Sequence, residues 1–240
     1  MTSVPPTRPS RGSPYVGPRP FRRGELFYGR GREATSLVDT LISSRIVLLH
    51  SPSGAGKTSL VQAAVAPTME RRGFQICAQR EPFSLARVST PAPEAAMSDN
   101  RYVASVVTSL LAHVPDLDRT RAYSISETLD LLATEPEPPE QQLLILDQFE
   151  EILTLDPTDF SGQKGFFLQL GKALVNQNRW ALIAMREDYM GGLDRFLRYV
   201  PGQLRATFRL TCSTGRPRAA RSRIPPTVAG STSPRTPPTR

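Results

Sequence analysis

The chain has 240 residues, a 39% hydrophobic share, 23 prolines and a formal charge of +8, enough apolar material for one ordinary domain. The charge is not spread evenly: residues 1–32 carry seven Arg and one Glu, residues 211–240 carry six Arg and no acid, and the stretch between them is net −4. A mildly acidic centre with basic, proline-rich ends excludes a dedicated groove reader of nucleic acid; two distant cysteines, Cys77 and Cys212, with His50 and His113, exclude a disulfide framework and a zinc cluster.

No signal segment opens the chain and no apolar run reaches membrane-spanning length, which predicts a soluble, cytoplasmic protein with no membrane partner. Residues 1–13 read as a disordered basic arm, since Pro, Arg, Ser and Thr cannot bury enough surface to offset ordering entropy. Residues 32–44 repeat Ala34, Leu37, Val38, Leu41 and Ile42 at helical spacing. Ile46 to Leu49 is a short continuous apolar run, as in a strand buried on both faces.

A glycine loop follows, and then a helix from Thr58 to Ala66 that Pro67 is expected to stop. Phe74 to Ala78 reads as a strand and 81–100 as a loop. Helices are expected from Tyr102 to Ala112 and over 126–133, the second capped by Ser124 or Ser126. "EPEPPEQQ" reads as a linker, "LLILD" (143–147) as a strand, the Phe166–Leu174 periodicity as a helix, "WALIAM" (180–185) as a strand, and 191–199 as a short helix. Strands alternating with helices predict an α/β three-layer sandwich around a mostly parallel sheet, flanked by disordered ends. Ligands of such sheets bind beyond the carboxyl ends of the strands.

Three motifs fall at that edge. "SPSGAGKT" (51–58) fits the phosphate loop G-x-x-x-x-G-K-S/T except that Ser51 stands in the first glycine position. It follows a predicted strand and opens a predicted helix. Ser51, Ser53, Gly54, Ala55, Gly56, Lys57, Thr58 and Ser59 would line a nucleotide. Backbone N–H groups would turn toward phosphate, Lys57 would reach the outer phosphates, and Thr58 would hold Mg2+. Serine at 51 is tolerable because it only begins the turn, so Ser51→Gly is expected to be nearly neutral. The second motif is "LLILDQFEEI", about ninety residues downstream. Asp147 ends a strand and is placed to hold the metal through water, while Glu151, ahead of Glu150, would act on the attacking water. The third is "WALIAMRED", where Arg186 would sense the γ-phosphate unless it pairs with Glu187 or Asp188 at the surface. An N-K-x-D guanine reader is missing, which favours adenine.

"PYVGPRPF" (14–21), "LFYGRGREATSLVDTL" (26–41), the glycine loop, "LILDQFEEILTLDPTD" and "MREDYMGGLDRFLRYVPGQLRATFRL" together resemble the novel STAND NTPases of bacteria, over residues 14–210. These are signal-transducing P-loop ATPases related to NACHT and apoptotic ATPases. The resemblance implies that Arg30 and Glu33 help seat adenine, with Gly31 standing where the family's G-R-E-x-E segment has its first acid. It implies separated Walker B acids at Asp147, Glu150 and Glu151, and a sensor arginine at Arg186. It also implies a switch in which ATP favours an open homo-oligomer through the NTPase domain and slow hydrolysis to ADP resets it. Family members continue into winged-helix and repeat or effector domains, so the chain is expected to be truncated before them. Residues 211–240, an acid-free run of Arg, Pro, Ser and Thr, are expected to be a disordered tail translated out of frame. Two alternatives remain at the level of sequence: a P-loop small-molecule kinase, against which the absence of lid arginines counts, and a remnant without activity.

Overall fold

The computed structural model describes residues 29–77, 85–89, 98–112, 114, 118, 121–133 and 141–212. The arm over 1–13, the motif "PYVGPRPF", residues 135–140 of the linker and the tail from 213 onward lie outside the described residues, while Gln141 and Gln142, read as linker, instead open a strand.

Five parallel strands form one sheet in the order β2-β3-β4-β1-β5. They are β1 (Ile46–Ser51), β2 (Phe74–Cys77), β3 (Gln141–Leu146), β4 (Arg179–Arg186) and β5 (Thr207–Arg209). Side chains alternate between the faces with the strand period of two. Val47, Leu49, Leu143, Ile145, Leu182 and Ala184 enter one cluster with α1 (Gly31–Ser44) and the helical run after the glycine loop. Leu48, Leu144, Leu146, Ile183 and Met185 enter the other, against α4 (Arg101–Leu111), α5 (Ile125–Leu132) and α7 (Phe160–Val175). Burial on both faces is why the strands read as continuous apolar runs. The α/β three-layer sandwich with a parallel sheet is therefore the fold.

The helices start where their caps allow. Asn100 accepts from Tyr102 N and Val103 N to open α4, and Asp159 accepts from Gly162 N at 2.8 Å to open α7. Ser124, not Ser126, caps α5, in a reciprocal box with Glu127. Ser126 is used elsewhere: its hydroxyl accepts from Arg179 at 3.0 Å.

Three expectations are corrected. Pro67 does not stop its helix. The chain runs through α2 (Lys57–Leu60), a π turn (Val61–Val65) and α3 (Ala66–Arg71), with the proline in the first turn of α3. Ala66 N–H reaches back to Val61 O; this wider turn meets the proline at a position where a missing N–H matters least. The short helix expected over 191–199 is instead a series of 3-10 turns, Glu187–Leu193, Leu197–Tyr199 and Pro201–Leu204. A strand not foreseen, β5, follows them and pairs with β1. Within the expected loop at 81–100, Ala86 makes a parallel bridge to Leu146 and its carbonyl accepts from Asp147 N at 2.9 Å.

At the edge of the sheet opposite the glycine loop, a buried polar knot fixes β3 to β4. Arg179 donates to Gln142 Oε1, Ser126 and the Ala173 carbonyl, and pairs with Asp130. Gln142 donates in turn to the Leu129 carbonyl at 2.8 Å.

Two glycines separate helix propensity from packing. Around Gly31 a Cβ would meet open space, whereas at Gly171 it would collide with the Tyr199 carbonyl. Propensity favours alanine at both by up to about 1 kcal/mol, but a backbone carbonyl cannot rotate away, and overpacking costs about 1–3 kcal/mol. Urea unfolding should find Gly31→Ala stabilised by about 0.5 kcal/mol and Gly171→Ala destabilised despite the same chemistry.

Candidate functional site

Beyond the carboxyl end of β1 the chain turns through Pro52–Gly56 into α2. Gly54 and Gly56 hold φ of 74° and 87°, a region that costs other L-residues about 1–2 kcal/mol. Those two turns let the loop curl under itself, with Ala55 buried in the bend and Ser53 exposed. Leu60 N donates to Gly56 O, so the N–H groups of Lys57 and Thr58 precede the first intrahelical donor. They are the orphan donors of a helix start, with its partial positive charge.

The strand order brings the remote motifs to this loop. β4 lies between β1 and β3, so Arg186, Ser51 and Asp147 end neighbouring strands. Thr58 Oγ1 donates to Asp147 Oδ2 at 2.7 Å across 89 residues of sequence. Asp147 is buried, and its Oδ1 has no partner. A buried carboxylate oxygen left without a donor marks a place for a cation or its water. The hard oxygens of Asp147 and Thr58 suit Mg2+.

Lys57 stands beside them. Its Nζ donates to Ser51 Oγ at 2.8 Å. Burial pushes its pKa down, while Glu150 and then Asp147 oppose that shift and Arg186 adds to it. One cation is thus held among carboxylates that follow two neighbouring strands, β3 and β4.

The sequence expectation put Glu151 ahead of Glu150 as the acid acting on water, and the structure gives the two different partners. Gln148 adopts φ 51°, a costly turn that lets Phe149 N donate to Ala184 O on β4 and buries the Phe149 ring against Phe166 and Phe167. That anchor carries Glu150 over the tip of β4, where its Oε2 accepts from Arg186 N at 3.1 Å. Glu151 opens α6 (Glu151–Thr154) and instead accepts from the Ser89 hydroxyl. Ser89 was not foreseen, because no spacing in the sequence relates it to the acids.

The Arg186 guanidinium pairs with Asp188 at 2.6 Å and lies over the Tyr189 ring, 5.2 Å from its centre, with its buried Nε unpartnered. The hydrogen bond to Asp188 raises its pKa. Glu187 turns the other way. Arg209 of β5 grips its carboxylate through two bonds of 3.0 and 3.2 Å, and His50 Nδ1 lies 3.8 Å from it. Arg209 accordingly lowers the Glu187 pKa, and burial lowers that of His50 against the pull of Glu187. This cluster, also unforeseen, ties β5 to the loop's own strand.

Arg30 occupies the N-cap position of α1, buried, with Nη1 unpartnered, and Glu33 is half-buried in the first turn of that helix. Among the described residues there is no cluster of His, Cys, Asp and Glu able to hold a metal by itself, and no helix long and apolar enough to cross a membrane.

Comparison with known proteins agrees with the fold. Among solved structures, the chain is similar to the Walker-type ATPase of Pyrococcus abyssi, with 15% identity, 81% of this chain and 57% of that one covered, and a TM-score of 0.50. It is likewise similar to the ORC2 protein of Aeropyrum pernix, solved in ADPNP–ADP complexes, with 17% identity, 80% and 49% covered, and a TM-score of 0.50. At such identities the likeness speaks for the fold, and this chain spans about half the length of those proteins. No curated protein matches the sequence. The family described as Novel STAND NTPase 1 matches over residues 14–210, most of the chain and all three motifs, so the chain belongs to the STAND NTPases.

Proposed function

We propose that this chain is the ATP-binding core of a STAND-type signalling switch, which binds ATP with Mg2+, prefers adenine and hydrolyses slowly. The observation that carries the proposal is the Thr58–Asp147 bond with Asp147 Oδ1 buried and unpartnered beside Lys57. In this reading residues 14–210 are the working domain, acting in the cytoplasm and assembling with other copies of itself through that domain.

Thr58 and Asp147 would hold the metal, which when bound neutralises charge on the phosphoryl oxygens. The orphan N–H groups of Lys57 and Thr58 bind phosphate oxygens, and the Lys57 ammonium adds a charge-assisted contact. Arg30 and Glu33 face the adenine side. Glu150 takes the proton of the attacking water: one of its oxygens is fixed by Arg186 N–H, and no hydrogen bond to a described residue engages the other. Arg186 exchanges Asp188 for the γ-phosphate. Both members of that pair are substantially exposed, 39% and 57%, and an exposed pair contributes only about 0–1 kcal/mol. A phosphate carrying more charge in a drier site outweighs it.

Three measurements test this. ATP with magnesium, at a hundredfold excess over its Kd, stabilises the folded state by about 2.7 kcal/mol, a melting shift of roughly 5–10 °C in a domain of this size. GTP should give clearly less; equal shifts would refute adenine preference, and no shift with either would refute a working site. Lys57→Ala removes a hydrogen bond from a charged group, about 1.5–3 kcal/mol, so titration calorimetry should find ATP held about ten- to a hundredfold more weakly. Glu150→Gln keeps shape and loses the base, so phosphate release should fall by about a hundredfold or more with ATP binding nearly intact. Glu151→Gln should fall less; the opposite ranking would return the role to Glu151.

A further inference from the structure

The residue that departs from the usual loop pattern is also the residue that holds its lysine. Ser51 is fully buried at the end of β1. Its hydroxyl donates to the Pro52 carbonyl at 2.9 Å and accepts from Lys57 Nζ at 2.8 Å. Glycine, the usual occupant, has no side chain to offer. We propose that Ser51 is a positioning residue, whose hydroxyl fixes the Lys57 ammonium along the loop so that its remaining donors stay available to the outer phosphates of ATP. This rests on the ATP-binding reading above.

A lysine ammonium has three donors, and among the described residues Ser51 Oγ is the one acceptor of a hydrogen bond from Nζ. The rivals for the charge are Glu150 and Asp147, both of which attract Lys57. A lysine stem has four carbons and large rotamer freedom. With nothing to fix it, the ammonium would swing onto those carboxylates. Capture by Asp147 would fill the buried Oδ1 that suits a metal; capture by Glu150 would engage the base. Ser51 prevents both without neutralising the cation, because a hydroxyl is uncharged. Its orientation is also determined: the hydroxyl proton is committed to Pro52 O, so a lone pair is what remains toward Lys57. The expectation that Ser51→Gly is neutral considered the backbone alone, and this bond overturns that reasoning.

The test uses the full chain with Ser51→Ala and Ser51→Gly, and two readouts. The first is acylation of Lys57 by an amine-selective N-hydroxysuccinimide ester in nucleotide-free protein, followed by peptide mass spectrometry. Only the neutral amine reacts. The ammonium released from Ser51 moves onto the Glu150 and Asp147 carboxylates, which favour its charged form, so both variants should label several-fold more slowly than the parent. The second is the Kd for ATP with magnesium, expected to rise about tenfold, while the melting temperature of the nucleotide-free protein stays at the parent value. Unchanged or faster labelling overturns the tether. Slower labelling with unchanged or tighter ATP binding overturns the positioning role and makes Ser51 a competitor of phosphate. If the parent itself fails to bind ATP, the function proposed above falls and the positioning role falls with it, while labelling alone then decides whether Ser51 holds Lys57.

Discussion

The bond from Thr58 to Asp147 is the constraint on which the site depends. It joins the loop after β1 to the end of β3, two strands that do not touch. β4 lies between them, so the gap bridged is two strand spacings, roughly 10 Å. Spanning it requires a helix start that leans over the tip of β4 and a strand that ends in a carboxylate at the same level. The wholly parallel pairing supplies both, because it brings every strand to the same edge with the same polarity. An inserted residue in β3 would rotate Asp147 to the other face and leave Thr58 without its acceptor.

The same edge concentrates charge that the rest of the sheet avoids. Asp147, Glu150 and Glu187 all attract Lys57, Arg186 repels it, and Arg209 pairs with Glu187. The acids are held apart by different partners: Thr58 for Asp147, the Arg186 backbone for Glu150, and Arg209 for Glu187. Each is therefore fixed in place while Lys57 is approached by several of them. Such an arrangement is poor for the empty protein and suited to an anionic ligand with a divalent cation, which adds charge of both signs to the centre.

Much of this was legible in the sequence, for reasons that can be stated residue by residue. Strands such as Leu143–Leu146 and Ala181–Met185 announce themselves because both faces are buried, and the glycine loop announces itself because Gly54 and Gly56 need positive φ. Other features depend on contacts that no local pattern encodes. β5 has three residues, exposed at Thr207 and Arg209, too few for a period. The choice between Ser124 and Ser126 turned on Arg179, more than fifty positions away. Glu150 and Glu151 are adjacent acids in sequence, and only the turn at Gln148 decides which one meets Arg186 N–H. Ser89 reaches Glu151 because Ala86 bridges to β3, a pairing hidden in a stretch that reads as loop.

The two edges of the sheet divide the labour of stability and function. At the far edge, Arg179 is buried with its guanidinium nitrogens spent on Gln142, Ser126, Asp130 and the Ala173 carbonyl. A buried cation is tolerable only when so completely partnered, and this one leaves nothing for a ligand. At the near edge, Asp147 Oδ1, Arg186 Nε and His50 Nδ1 are buried without hydrogen-bond partners, and Gln148 holds a strained φ. Each orphaned group costs about 1–3 kcal/mol, and the turn about 1–2 kcal/mol more. Against a net stability of about 5–15 kcal/mol for a domain, that is a substantial fraction placed at one spot. A fold under selection for stability alone would relieve it. Under the proposed function, a nucleotide with its cation would satisfy Asp147 Oδ1 and Arg186 Nε when it binds.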